Sequence, residues 1–382
     1  HRRHCTRAPP RAPWSSVHGG GGGRWARARA GAGAGAGAGG AAVAAGGRRR
    51  LGASGVEVSP VGVGAWAWGD KFFWNQGSWG EDGEAAARGA FESAAAAGLN
   101  WVDTAEVYGT KQFGGEDSEV LLGRFLRAQR AGDAAAPAPA EAPLMATKFA
   151  ALPWRRGPEA VEAALRASLE RLQLEQVDLY QLHWPGLWGN EGYLDGLARV
   201  QKAGLTRAVG VSNYSEKRMR AAHKRLAEQG VPLAANQVHY NLLYRLPEQN
   251  GVLDACRELG VSLVAYSPLA QGMLSGKYSP ENPPPGPRGR LYTAEWLRKA
   301  QPLLDALGAV GEERGKTRTQ VALNWLLCQD DCVLPIPGGK SADQVEDFRG
   351  ALGWHLDAGE VEELRRLSMR VPAVQGFPAE NL

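Results

Sequence analysis

Short apolar runs and amphipathic stretches alternate along most of this chain. The runs near 61–66, 100–102, 144–148, 178–183, 207–211, 234–238, 262–266 and 332–335 have strand length and strand composition. Between and after them, apolar positions recur at helical spacing over 84–97, 116–129, 158–172, 190–203, 215–229, 248–259, 294–314 and 341–351, with a last helix over 357–368. Eight strand–helix units of one composition predict an α/β protein built as a single (β/α)8 TIM barrel over residues 48–382, with an extra C-terminal helix. A doubly wound dinucleotide-binding sheet is not expected, because no GxGxxG lies between a strand and a helix. Ahead of the first strand, 48–60 reads as a β-hairpin turning at Ala53-Ser54-Gly55.

Composition separates the first 47 residues from the rest. They are rich in Arg, Gly and Ala, and cannot bury enough apolar surface to offset chain entropy, so disorder is expected there. Residues 1–50 hold ten arginines and no Lys, Asp or Glu, which leaves 34 basic and 40 acidic residues, a net of −6, for the remainder. The overall +4 therefore describes a basic leader on a mildly acidic body and gives no argument for nucleic-acid binding by that body, so no nucleic-acid partner is expected. A leader without acidic residues fits an organelle transit peptide. No run approaches the roughly 18–20 apolar residues of a transmembrane segment. Four scattered cysteines give no disulfide framework, and no metal-ligand spacing is present. Two inserts interrupt the rhythm: 131–143, placed at the face away from the chemistry, and the Pro-rich 279–290, placed to cover a bound cofactor.

Candidate chemistry sits where strands end. Asp103 closes the second strand and Tyr108 follows in the loop, Lys148 ends the third, and His183 ends the fourth. C-terminal strand ends lie side by side in a parallel barrel, so an acid, a phenol, an amine and an imidazole can share one pocket. Taken singly, each has a structural reading: a helix cap, a packed ring, a solvated amine, a core histidine. In this order, within DTAEVYG, TKF and YQLHWP, they resemble the catalytic tetrad of the aldo-keto reductases. The resemblance implies hydride transfer from a nicotinamide to a carbonyl compound, with Tyr108 as proton donor. An ammonium at Lys148 is expected to lower the phenol pKa from about 10, Asp103 to hold that ammonium, and His183 to orient the substrate oxygen.

The resemblance extends to the cofactor. Ser212, Asn213 and Gln237 match the family's clamp on the nicotinamide carboxamide, and Tyr266 the ring stacked on the nicotinamide. Ser267, Pro268, Leu269 and Gly272 match its pyrophosphate loop. Gly338 and Gly339 lead into a helix N-terminus suited to an anion. Lys340 and Ser341 match the 2′-phosphate site, which implies NADP(H), and Gln344 and Asp347 the adenine side, with Phe348 where many members carry Asn. Trp66 and Trp184 are expected to face a small-molecule carbonyl substrate, alongside Trp68, Phe72, Phe73, Trp74 and Tyr240. That aromatic mouth suits a reactive aldehyde or a pyridoxal-like ring. Details of the opening hairpin and closing tail resemble the plant and algal chloroplast branch, which implies the plastid stroma. The alternative is an NADP(H)-binding regulatory subunit of the kind that partners potassium channels.

Overall fold

Parallel pairing runs without a break from Val63 to Ile336. The computed structural model describes residues 47–74, 79–109, 115–132 and 143–374. A hairpin of β1 (Arg49–Arg50) and β2 (Glu57–Val58) precedes the barrel strands β3 (Val63–Gly64), β4 (Trp101–Asp103), β5 (Leu144–Phe149), β6 (Val177–Leu182), β7 (Thr206–Ser212), β8 (Leu233–His239), β9 (Ser262–Tyr266) and β10 (Val333–Ile336). The order across the sheet is the order along the chain. The ring closes where Gly62 and Gly64 donate to the carbonyls of Pro335 and Pro337 at 3.0 and 2.9 Å. Closure removes the unpaired edges that a sheet of eight strands would otherwise expose.

Helices cover the outside: α1 (Glu81–Ala96), α2 (Ser118–Ala131), α3 (Gly157–Leu172), α4 (Asn190–Lys202), α5 (Glu216–Ala227), α6 (Leu246–Gln249), α7 (Val252–Leu259), α8 (Pro287–Leu291), α9 (Ala294–Arg314), α10 (Arg318–Leu327), α11 (Ala342–Arg349) and α12 (Ala358–Ser368). Their apolar stripes, such as Val161, Leu165 and Leu169 on α3, form one core layer against the strands. The interior is a second core, filled by small strand residues, Ala146, Ala208, Ala234 and Ala235, and plugged by Leu51, Val56 and Val58 from the hairpin. Among the described residues no helix is long and apolar enough to cross a membrane.

The barrel, the hairpin and the last helix are as the sequence predicts, but three elements differ. Helix α10 was not expected, although Thr317 and Gln320 form a capping box ahead of its apolar run. A rule of one helix per strand hides it, because three helices lie between β9 and β10. The helix expected over 248–259 is two, α6 and α7, broken at Gly251 with φ +81°. The Pro-rich insert carries the short α8, where Pro287 supplies the first turn. Insert 133–142 and leader residues 1–46 lie outside the described residues.

Candidate active site

The tetrad assembles at the strand ends. Asp103 ends β4, Lys148 lies on β5, and His183 follows β6 by one residue. Lys148 Nζ donates to Asp103 Oδ2 at 2.5 Å, to the Thr104 carbonyl at 2.8 Å and to the Tyr108 hydroxyl at 3.3 Å. His183 Nε2 lies 3.5 Å from the same hydroxyl. Lys148 is 0 % and Asp103 2 % exposed. An unpaired ammonium buried so deeply would cost several kcal/mol, so the carboxylate is what keeps it charged. Tyr108 sits in a turn that only glycine can complete. Gly109 has φ +95°, and a β-carbon there would lie 1.7 Å from the Glu116 carbonyl oxygen.

Charge in the pocket follows from this burial. Burial alone would lower Lys148, but Asp103 and then Tyr108 outweigh it and the ammonium is held above its ordinary range. Burial, and next the Lys148 charge, hold His183 well below 6.5, so it stays a neutral imidazole. Its Nδ1 has no partner. The expectation for Tyr108 is corrected: burial raises the phenol more than Lys148 lowers it, so it stands above its ordinary value in the ligand-free site. An alcohol is a far weaker acid than any such phenol, so proton transfer to a nascent alkoxide still runs downhill.

An aromatic wall faces the tetrad. The Trp66 ring stacks on Tyr108 at 6.1 Å and on Phe73 at 5.6 Å, and meets Trp74 edge-on at 5.2 Å. Trp184 packs on the His183 ring at 4.7 Å. Asp70, which sequence reasoning missed, organises this wall by accepting from the amides of Phe72, Phe73 and Trp74 at 3.2, 2.9 and 2.5 Å. Its signal was an Asp at the head of a turn. Two aromatic residues expected at the mouth belong to the core instead: Trp68 is 1 % exposed and donates to the Gly339 carbonyl, and Tyr240 is 0 % exposed and donates to Glu248. Phe72 is 68 % exposed.

Some of the expected cofactor residues bond to one another beside His183, and Lys340 bonds to the aromatic wall. Tyr266 donates to Asn213 Oδ1 at 3.0 Å, Asn213 Nδ2 donates to the His183 carbonyl at 3.1 Å, and Ser212 donates to the Gln237 carbonyl at 2.7 Å. The Gln237 side chain points to Asp103, donating to Oδ1 at 2.9 Å. Beyond Tyr266, Ser267 and Gly272 adopt φ +49° and +93° in the turn that also carries Pro268 and Leu269. Gly338 bridges to Gly64 beside the closing strand, and Ser341 occupies the N-cap position of α11 without a side-chain capping bond. Lys340 donates through Nζ to the Trp74 carbonyl at 2.9 Å, and its amide donates to Gln344 Oε1 at 2.9 Å. Asp347 turns toward α10 and accepts from Thr317 and Gln320, both at 2.8 Å, while Phe348 is buried. Gln344 and Asp347 are thus engaged within the chain.

Sequence reasoning missed Arg288. The residue is 7 % exposed, and its guanidinium lies over the Trp74 ring at 5.3 Å with no partner for Nε. Burial, then Arg288 and Lys277, push the Lys340 ammonium down to about 8. Like charges gathered around a buried guanidinium fit a phosphate group, the part of NADP(H) that such a cluster would hold.

The Aldo/keto reductase family model matches residues 60–368. A chloroplastic pyridoxal reductase from Arabidopsis thaliana is 41 % identical, over 83 % of this chain and 85 % of its own length. Among solved structures, a glycerol dehydrogenase from Gluconobacter oxydans superposes with a TM-score of 0.73 at 26 % identity, covering 87 % of this chain and 98 % of its own. An aldo-keto reductase from Klebsiella pneumoniae, in complex with NADPH, gives 0.62 at 25 % identity, covering 86 % and 96 %. The chain belongs to the aldo/keto reductase family. As a member it is an oxidoreductase that carries hydride between NADP(H) and a carbonyl compound.

Proposed function

We propose that the chain reduces a flat, conjugated aldehyde of the pyridoxal kind, with Tyr108 delivering the proton. The observation that carries this reading is one hydroxyl, on Tyr108, held 3.3 Å from a buried ammonium and 3.5 Å from a neutral imidazole, beneath a stacked indole. Bound nicotinamide supplies the hydride, which no side chain can give. Tyr108 gives its proton to the carbonyl oxygen, Lys148 stabilises the phenolate left behind, and Asp103 keeps Lys148 charged. His183, neutral, donates to the same oxygen and fixes its direction. Trp66 and Trp184 flank a planar substrate, and their faces suit a heteroaromatic ring. Ser212, Asn213, Gln237 and Tyr266 hold the nicotinamide end, the 267–272 turn and Gly338–Gly339 the pyrophosphate, and Lys340 with Ser341 and Arg288 the 2′-phosphate.

The pyridoxal assignment draws support from the Arabidopsis relative, and so does a plastid location, to which the Arg-rich leader adds a presequence composition. An intact tetrad favours this enzyme reading over a regulatory subunit. The test is NADPH oxidation against pyridoxal and a panel of aliphatic and aromatic aldehydes. Tyr108→Phe is expected to keep NADPH binding and lose about 100-fold or more in kcat, the usual scale of a lost general acid. Unchanged turnover in that variant would remove Tyr108 from its role.

A further inference from the structure

Asp103 uses its two oxygens differently. Oδ2 takes the Lys148 ammonium, whereas Oδ1 accepts from two carboxamides, Gln237 Nε2 at 2.9 Å and Gln181 Nε2 at 3.2 Å. The three side chains come from β4, β6 and β8, alternate strands whose inward residues share a layer inside a parallel barrel. All three are buried, Gln181 completely. The Gln237 backbone carbonyl is in turn taken up by the Ser212 hydroxyl and the Asn213 amide.

The barrel makes room for Gln181 in particular. Its neighbour across the sheet is Gly210 on β7. A β-carbon at Gly210 would stand 3.0 Å from Gln181 Cγ and 3.1 Å from the Ala235 carbonyl oxygen. Gly210 is not in the left-handed region, so what this glycine provides is space.

We propose that Gln181 is a positioning residue for the proton-donating tyrosine, acting through Asp103. With Oδ1 held by two fixed donors, the carboxylate cannot rotate away from the ammonium, and Oδ2 stays on Lys148. Lys148 owes its charge to that contact, because burial works against it. Loss of the Gln181 bond loosens Asp103, the Lys148–Tyr108 pair then gives up its proton at lower pH, and the pH range in which Tyr108 can act as an acid narrows. The inference rests on the proposed role of Tyr108.

The experiment compares wild type with Gln181→Met, which keeps length and volume but has no donor, and with Gly210→Ala, which keeps the glutamine and displaces it. Pyridine-4-carbaldehyde serves as the probe substrate, and NADPH affinity is read from tryptophan fluorescence. For Gln181→Met, kcat at neutral pH is expected to fall about tenfold and the alkaline limb of its pH profile to move down by about one unit, the scale of one hydrogen bond to a charged group. NADPH Kd is expected to change less than threefold, and Gly210→Ala to move the limb in the same direction. A lower kcat or lower melting temperature with the alkaline limb unmoved would mean that Gln181 only packs, and would overturn the inference. Wild-type protein that binds NADPH yet reduces no aldehyde would overturn the proposed function and this inference with it.

Discussion

At the scale of single residues, Lys340 shows how surroundings change what a charge can do. Burial and two neighbouring cations push it down to about 8, so the ligand-free ammonium is partly lost just above neutrality. A phosphate favours the protonated form, so NADPH should draw a proton onto Lys340 as it binds. NADPH affinity is expected to fall between pH 7 and 9, by up to tenfold per unit above pH 8, while NADH affinity stays flat. Calorimetry at pH 8 in buffers of different ionisation enthalpy should show net proton uptake for NADPH alone. Lys340→Ala with Ser341→Ala should weaken NADPH roughly 10- to 100-fold and NADH less than threefold, as expected for lost charge-assisted bonds; an equal loss would show that the 2′-phosphate is not read there. Lys340 could be picked out as a candidate because GGKS lies within one stretch. Arg288 was not, since only folding brings a guanidinium from a Pro-rich insert to the same indole as Lys340.

At the scale of elements, the turn after β4 is tied to the loop after β5. Glu106 accepts from the Ala150 amide at 2.6 Å and from both terminal nitrogens of Arg155, at 2.5 and 3.1 Å. The guanidinium in turn lies over Phe149 at 4.3 Å. Tyr108 is two residues from this tie. Arg155→Met should leave a largely buried carboxylate without its partner, at a cost of about 1–3 kcal/mol. The expected signs are a lower urea midpoint, faster amide exchange over 104–109, and kcat several-fold lower with NADPH binding kept. Unchanged exchange in that segment would show that the turn holds itself. Element type was legible wherever apolar spacing stood alone, as in α3 and α9. It failed at α10 because the capping signal was present but the unit count left no place for a further helix.

At the scale of the whole molecule, the interior of the barrel is sealed by the hairpin. Gly52, with φ +54°, brings its backbone against Ala234, and a β-carbon there would lie 2.4 Å from that residue's carbonyl oxygen. Gly52→Ala should destabilise the fold by about 2 kcal/mol or more through strain and overpacking, read as a lower urea midpoint, while NADPH Kd is unchanged. The order of short apolar runs and amphipathic stretches determined the architecture by itself, because burial on two faces of a sheet leaves a periodic record in the chain. It also determined which residues stand at strand ends, and hence the members of the tetrad. Tertiary structure alone decided how those members and their surroundings behave: the raised phenol, the neutral imidazole, the two amides on Asp103 and the two cations, Arg288 and Lys340, over Trp74. Protonation depends on burial and on charges within a few ångströms, and those neighbours come from strands and loops far apart in sequence.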